Sequence, residues 1–180
     1  MKRIALFILG VMAVSTSALA QAPAADIEKA LLAAPANMKE GATVIKWKPD
    51  FTYETLRKGT NRLVCFDKSG MPKAQPFMIE CTSIANLDRV AQNLKFEAMG
   101  DKAQAMFDAA EKDGTRAKPE FGSVWYHVMG PSREQARNHM TIAVPGATTA
   151  SIGLPDNNKQ GGVWIMNAGT TTAHLMTPGS

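Results

Sequence analysis

The hydrophobic and polar positions along the chain predict strands on either side of one helical block. Residues 43–47 alternate as the two faces of a strand do, and residues 62–66 and 76–81 are further strand-like runs joined by a segment rich in turn formers. Residues 51–57 have no clear pattern. Over residues 83–113 the apolar side chains recur at helical spacing, which predicts two helices or one broken helix.

Capping residues mark the limits of these helices. The dipeptide at 100–101 separates the two halves of the block, and Asp101 with Gln104 predicts a capping box for the second half. Gly114 is placed to end that helix, since glycine adopts the left-handed conformation of many helix ends.

Short strands separated by turns that contain Gly or Pro follow the block, at 123–129, 139–144, 163–167 and 173–176. Gly161 and Gly162 come before one of these strands and predict a hairpin turn rather than a phosphate loop. Strands on both sides of one helical block predict an α+β fold with a mainly antiparallel sheet, on which residues 83–113 pack.

The N-terminus has the pattern of a secretory signal peptide. Basic residues open the chain, an apolar run covers 4–14, and an Ala-x-Ala cleavage site ends at Ala20. An uncleaved anchor is the alternative, but a membrane-spanning helix needs about 20 apolar residues. We therefore predict a signal peptide over residues 1–20 and a periplasmic or secreted mature chain with no membrane span.

The mature chain is predicted to begin with a flexible segment at 21–25 and to continue as a single globular domain over 26–180. Its first helix would start at Asp26 and end before Pro35. The 45% hydrophobic and 20% charged residues are typical of globular proteins, which argues against collagen-like, coiled-coil and disordered classes.

The charge balance does not favour nucleic-acid binding. The chain has 20 Lys and Arg against 16 Asp and Glu, a formal charge of +4. Without Lys2 and Arg3 of the predicted signal peptide, 18 basic residues face 16 acidic ones, a charge of +2. We find no run of like charge and no basic stripe with interleaved aromatic residues, so nucleic acid is not a predicted partner.

The two cysteines, Cys65 and Cys81, each lie in a strand-like run. Exported proteins meet an oxidising compartment, in which a disulfide forms and persists. Redox dithiols usually have the C-x-x-C spacing and metal sites need more ligands, so a structural disulfide is the favoured interpretation. Such a bridge would stabilise the fold by roughly 3 kcal/mol.

All three histidines lie in the last third of the chain, near methionines. Positions two apart share a face of a strand, so His127 would point with Trp125 and Met129, and His174 with Met176. Imidazole nitrogen and thioether sulfur are ligands of copper, especially Cu(I). The spacing matches no zinc or haem motif, however, and hydrogen-bonded core or edge histidines are the favoured interpretation. No cofactor is identified.

Catalytic patterns are weak. Ser123, Ser132 and Ser151 lack the G-x-S-x-G context of an activated nucleophile. Several carboxylates could converge as a pair for glycoside hydrolysis, but their spacing does not show it: Glu80, Asp88, Glu97 and Glu120.

The last sixty residues carry few charges, and this allows two interpretations. In the favoured interpretation, the sheet is covered by helices and its core includes Trp125, Tyr126 and Trp164. In the other, part of that sheet face is an exposed apolar patch for a small ligand or a partner protein.

Two further features carry a family resemblance. The chain has a G-G-x-W-x-M-x-x-G-T-x-x-A-H-L-M pattern over 161–176, and a Gly-Thr-Asn turn at 59–61 precedes the first cysteine. With the strand at 138–142, they resemble a family of uncharacterised exported bacterial proteins over most of the mature chain. The resemblance implies that His139 and His174 are family features and that His127 is not, which weakens a three-histidine metal site.

Together these observations favour a binding or accessory protein over an enzyme. The leading hypothesis is binding of a small ligand or partner protein through the weakly charged C-terminal sheet. The alternative is a metal-binding protein or a hydrolase-like enzyme that uses His139 and His174, which requires both histidines to converge with another polar group in one cleft. The candidate ligand-binding residues are His139, His174, Met176 and Trp164.

Overall fold

The computed structural model describes residues 17–178, with side chains from residue 23 onward. The predicted signal peptide lies mostly outside the described residues, so its presence and its cleavage stay predictions. Within residues 17–178, no helix has the length and apolar character that crossing a membrane requires.

The described part of the chain contains five α-helices. These are α1 (Ser17–Ala30), α2 (Ala36–Lys39), α3 (Leu87–Glu97), α4 (Ala103–Asp113) and α5 (Thr149–Ile152). Helix α1 runs through 21–25 and past Asp26, where the sequence predicts a flexible segment and an N-cap. The physical reason is the high alanine content of this segment, because alanine has the highest helix propensity.

The helical block at 83–113 is confirmed as two helices, α3 and α4, and Gly114 ends α4 with a φ of 77°. The predicted capping box is wrong. Asp101 lies inside a 3-10 turn, and the last residue of this turn, Lys102, has helical backbone angles. The chain therefore enters α4 without the extended residue that a side-chain cap needs. Gln104 Nε2 instead donates to Asp108 Oδ1 at 2.8 Å.

Eight strands form one sheet in the order β2-β1-β3-β4-β5-β6-β8-β7. Only β1 and β3 pair in parallel, which confirms the α+β class with a mainly antiparallel sheet. The strands are β1 (Thr43–Trp47), β2 (Tyr53–Arg57), β3 (Leu63–Asp67), β4 (Phe77–Ser83), β5 (Val124–Gly130), β6 (Arg137–Ala143), β7 (Trp164–Met166) and β8 (His174–Met176).

Two details of the sheet differ from the sequence prediction. Residues 51–57, which have no clear pattern in the sequence, contain the edge strand β2. Its first three residues are exposed, so burial of one face did not require apolar and polar residues to alternate. Gly161 and Gly162 do not close a hairpin. They join a 3-10 turn to β7, and β7 pairs with the later strand β8.

Helices cover both faces of the sheet. On one face, α1 and the 3-10 turn after it pack against a buried cluster that includes Val44, Leu63, Cys65, Ile79 and Cys81. On the other face, α3 packs with Val90 and Leu94 against a second cluster, formed by Ile45, Trp47, Val64 and Phe66. Helix α3 therefore lies over β1 and β3, at one half of its sheet face.

The predicted disulfide between Cys65 and Cys81 is confirmed, and it joins directly opposite residues of β3 and β4. The Gly-Thr-Asn turn also has a structural reason. A Cβ on Gly59 would lie 2.3 Å from the Gly41 carbonyl oxygen, so only glycine allows this approach of two backbones. Asn61 Nδ2 donates to Met38 O at 2.8 Å, which holds the turn in place.

Candidate functional site

The sheet face that α3 covers at β1 and β3 continues over β5, β6 and β8 as the floor of a cavity. The cavity has a volume of about 330 Å³. Helix α3 contributes Arg89, Val90 and Asn93 to the wall, and Pro119 contributes from the loop before β5. The cavity lies beside α3 because α3 covers only part of the width of this sheet face.

The strand register arranges the floor side chains in rows that run across the strands. Successive rows lie two residues apart along each strand, about 7 Å. All of these residues line the cavity, and the rows are Met78 with Met129; Glu80, His127 and His139; Trp125, Thr141 and Met176; and Ala143, His174 and Met166.

The cavity brings together three of the four candidate ligand-binding residues. His139, His174 and Met176 line it, whereas Trp164 does not, although it pairs with Met176 from the edge strand β7. His127, which the family resemblance discounted, lines the same cavity. All three histidines thus line one cavity, because odd-numbered positions of β5 and β6 and even-numbered positions of β8 share one face.

His127 and His139 lie directly opposite each other, with ring centroids 5.8 Å apart and planes at 29°. Trp125 stacks on the other side of His127 at 6.4 Å. Burial lowers the pKa of His139, and the positive charge of neighbouring His127 and His174 lowers it further. His139 is therefore a neutral imidazole at neutral pH.

His174 has a defined tautomer. Its Nδ1 lies 2.7 Å from the Thr172 carbonyl oxygen, and because a carbonyl only accepts, Nδ1 carries the proton. Nε2 is then left with its lone pair, available to accept a hydrogen bond or a proton from a bound molecule.

A buried ionic cluster adjoins the histidine pair. Lys68 Nζ lies 3.2 Å from Glu97 Oε2 and 3.8 Å from Glu80 Oε1, and Glu80 Oε1 lies 3.4 Å from His127 Nδ1. Burial raises the pKa of Glu80, but Lys68 and His127 outweigh it and the net direction is down. Burial raises the pKa of Glu97. Glu80 is therefore the ionised carboxylate that orients His127.

Arg89 is a buried cation in the cavity wall. It is 4% exposed, and its guanidinium donates to the Ala117 carbonyl at 2.7 Å and to the hydroxyls of Thr171 at 3.1 Å and Thr172 at 2.7 Å. Among residues 23–178, no carboxylate lies within 4 Å of it. Burial, followed by the charge of Arg116, lowers its pKa to about 10, so it stays charged at neutral pH.

Arg116 adds a second positive charge behind this wall. Its guanidinium donates to the side-chain oxygens of Gln92 and Asn93 and lies 4.8 Å from the centre of the Phe107 ring. A second cavity of about 370 Å³ lies between the two arginines and shares Arg89, Asn93 and Thr172 with the first. Asp108 and Glu111 also line the second cavity, so the positive charge that the first cavity receives at this wall is that of Arg89 itself.

Two of the candidate residues for hydrolase-like chemistry, Glu120 and Ser151, lie outside the cavity lining. Glu120 pairs with Arg62 and accepts from Ser83 at 2.5 Å, away from the cavity. Ser151 takes part in the capping box of α5. Of the four candidate acids, Glu80 and Glu97 alone come together, and they do so around Lys68.

Sequence reasoning named Glu80 only as one of four candidate acids and missed Lys68 and Arg89. Lys68 follows β3, Glu80 lies in β4 and Arg89 lies in α3, all far from the histidines in sequence, and no spacing pattern links them. In addition, the side chains that the structure describes include no group of three or more His, Cys, Asp or Glu that could hold a metal ion. A metal site of three histidines is therefore not formed.

Comparisons with protein-family models, with curated proteins and with solved structures found no match to this chain. The family resemblance noted in the sequence stays a prediction. Function then follows from the chemistry of the cavity alone.

Proposed function

We propose that this protein binds a small organic anion with an apolar body in the cavity between α3 and the C-terminal strands. The observation that carries the proposal is the buried guanidinium of Arg89, which lines the cavity and has no carboxylate of residues 23–178 within 4 Å. Glu111, whose charge partly offsets the lowering of its pKa, is separated from it by the Thr171 hydroxyl that both bind. A buried cation with no carboxylate in contact destabilises a fold, so a ligand that supplies the opposite charge gives it a role.

The polar end of the cavity suits a carboxylate. Arg89 is held in place by the Ala117 carbonyl and two threonine hydroxyls, so its guanidinium is already oriented. The planar guanidinium matches the two oxygens of a carboxylate. Lys68 is paired with Glu80 and Glu97, whereas Arg89 contacts no carboxylate of the described residues, so Arg89 is the charge that favours an anion over a cation.

The floor of the cavity suits an apolar body. Trp125 and the methionines of the floor supply flat and adaptable apolar surface, and methionine fills irregular gaps well. The volume of about 330 Å³ lies at the lower end of the range for small-molecule sites. We therefore expect a ligand about the size of a single ring with an acidic side chain.

The cellular setting belongs to the same proposal. The confirmed disulfide is compatible with an oxidising compartment, and the predicted signal peptide supports export. We infer that the protein acts as a periplasmic or secreted binding protein.

Calorimetric titration with phenylacetate, and with neutral phenylacetamide as the matched ligand, tests the proposal. We expect the acid to bind at least tenfold more tightly than the amide, because only the acid offers a charge to Arg89. Arg89→Lys keeps the charge but removes the paired donors, and we expect it to weaken phenylacetate binding about tenfold, equivalent to about 1.4 kcal/mol.

Arg133→Lys is the control variant, since Arg133 is exposed and lies outside the cavity lining. It should bind phenylacetate as the unmodified protein does. Equal affinity for the acid and the amide, or no binding of either, would overturn the proposal.

A further inference from the structure

We propose a second site in this protein, for a monovalent copper ion, at the end of the cavity formed by His127, His139, Met78 and Met129. This inference goes beyond the proposed function and does not depend on it. The juxtaposition that carries it is two cross-strand pairs, one of imidazoles and one of thioethers, in neighbouring rows of one sheet face.

The pairs are set by strand register. His127 lies directly opposite His139 across β5 and β6, and Met129 lies directly opposite Met78 across β4 and β5. Both pairs line the cavity, and their rows are about 7 Å apart along the strands. Methionine has a long, flexible side chain, so a thioether can reach an ion that the ring nitrogens of His127 and His139 bind at the edges of their rings.

Glu80 orients the His127 ring for binding to the ion. Its Oε1 lies 3.4 Å from His127 Nδ1, a buried nitrogen without any other partner between residues 23 and 178. A carboxylate at this nitrogen fixes the ring orientation and leaves Nε2 as the ligating atom, as is usual for metal-bound histidine. His139, a neutral imidazole at neutral pH, supplies the second nitrogen.

The donor set selects Cu(I). Thioether sulfur prefers soft ions, and imidazole binds copper in either oxidation state. The site lacks a third nitrogen, thiolate or carboxylate ligand that zinc would require, since the described residues contain no such group of three.

This site is separate from the anion-binding end of the cavity. His174 lies two rows beyond His139, about 13 Å along the strand direction, beside Thr172, which binds Arg89. Loss of copper binding and loss of anion binding are distinguishable because His139 takes part only in the first and Arg89 only in the second, although the floor methionines border both.

The test is an anaerobic titration of the purified mature chain with Cu(I) in competition with bathocuproine disulfonate, a chromogenic Cu(I) chelator. We expect one Cu(I) per chain, with X-ray absorption showing both sulfur and nitrogen neighbours. Met129→Leu and His139→Asn should each weaken binding at least tenfold. Thermal unfolding of each variant confirms that it is folded.

Met140→Leu is the matched control, because Met140 follows His139 on β6 and points to the opposite face of the sheet. It should leave Cu(I) affinity unchanged, and His174→Asn should do the same. No retention of Cu(I) against the chelator would overturn the proposal. So would equal affinity in Met129→Leu, His139→Asn and the unmodified protein.

Discussion

His127 and His139 face each other across β5 and β6, with ring centroids 5.8 Å apart, on the floor of the cavity. Burial, and then the positive charge of His127 and His174, lowers the pKa of His139. His139 therefore links the pH of the surroundings to the charge of the cavity and to the stability of the fold.

Stability should fall as the solution becomes acidic, through His139. Its pKa is lowered in the folded chain, by burial first and then by His127 and His174, so protons bind the unfolded chain more readily. The contribution of neutral His139 to the unfolding free energy is complete above the pKa of this residue in the unfolded chain, near 6.5. It is lost as the pH falls toward the lower pKa of the folded chain. His139→Gln should show a shallower loss of unfolding free energy between about pH 7 and pH 5.

Urea denaturation at both pH values measures this, with Met140→Leu as the control that keeps the full pH dependence. Parallel pH profiles for His139→Gln and the unmodified protein would contradict the assignment.

The ionic cluster should make Lys68→Met strongly destabilising at neutral pH. Lys68 is 7% exposed and is the cation beside Glu80 and Glu97. Replacement of Lys68 leaves two buried carboxylates without their neighbouring cation. We expect this to lower the unfolding free energy by about 3–5 kcal/mol. Without Lys68 the pKa of Glu80 rises, so protonation relieves the repulsion and the deficit shrinks as pH falls.

Chemical denaturation at about pH 7 and pH 5 tests this expectation. Lys118→Met, at an exposed position, is the control and should change stability by less than about 0.5 kcal/mol. A deficit of the same size at both pH values would show that the carboxylates are not its cause.

Asn86 should be a stability determinant of the junction between β4, the start of α3 and the segment before β5. It is fully buried, its Nδ2 donates to Thr82 Oγ1 at 2.8 Å and to Ser123 Oγ at 2.9 Å, and its Oδ1 accepts from the Glu120 amide at 2.8 Å. Asn86→Leu leaves these groups without their partner and should lower the unfolding free energy by about 2–4 kcal/mol. Asn158→Ala, at an exposed position, should be neutral in the same urea titration. Equal stability of both variants would rule out this role.

The disulfide should contribute about 3 kcal/mol. The double variant Cys65→Ala, Cys81→Ala removes a bridge that closes a loop with a sequence separation of 16. Guanidinium denaturation should show this loss, and treatment of the unmodified protein with dithiothreitol should reproduce it. The double variant should be insensitive to the reductant, and a response to it would indicate another cause.

Gly59 should not tolerate a side chain. Its Cβ would lie 2.4 Å from the Thr43 amide nitrogen as well as against Gly41. Gly59→Ala must separate two backbone segments and should lower the unfolding free energy by more than about 2 kcal/mol. Lys58→Ala, at the adjacent exposed position, is the control in a thermal unfolding experiment. A fully stable Gly59→Ala would show that the contact relaxes freely.

Local patterns in the sequence were sufficient for the α+β class, for most of the elements and for the disulfide. The strands at 43–47 and 63–67 are buried on both faces, so they stand out as short runs rich in apolar residues. The two helices within 83–113 bury one face each, so helical spacing records them directly. Strand β2 was not predictable in this way because it lies at the edge of the sheet and is largely exposed.

Within each of β5, β6 and β8, the sequence by itself also determined which side chains share a face, since that depends only on the period of a strand. Tertiary structure alone decided that the three histidines meet over one cavity, that Arg89 and Lys68 join them, and that Trp164 stays outside. The physical reason is that strand order and register, and the place where α3 crosses the sheet, depend on contacts between residues far apart in the chain. No local spacing encodes those contacts.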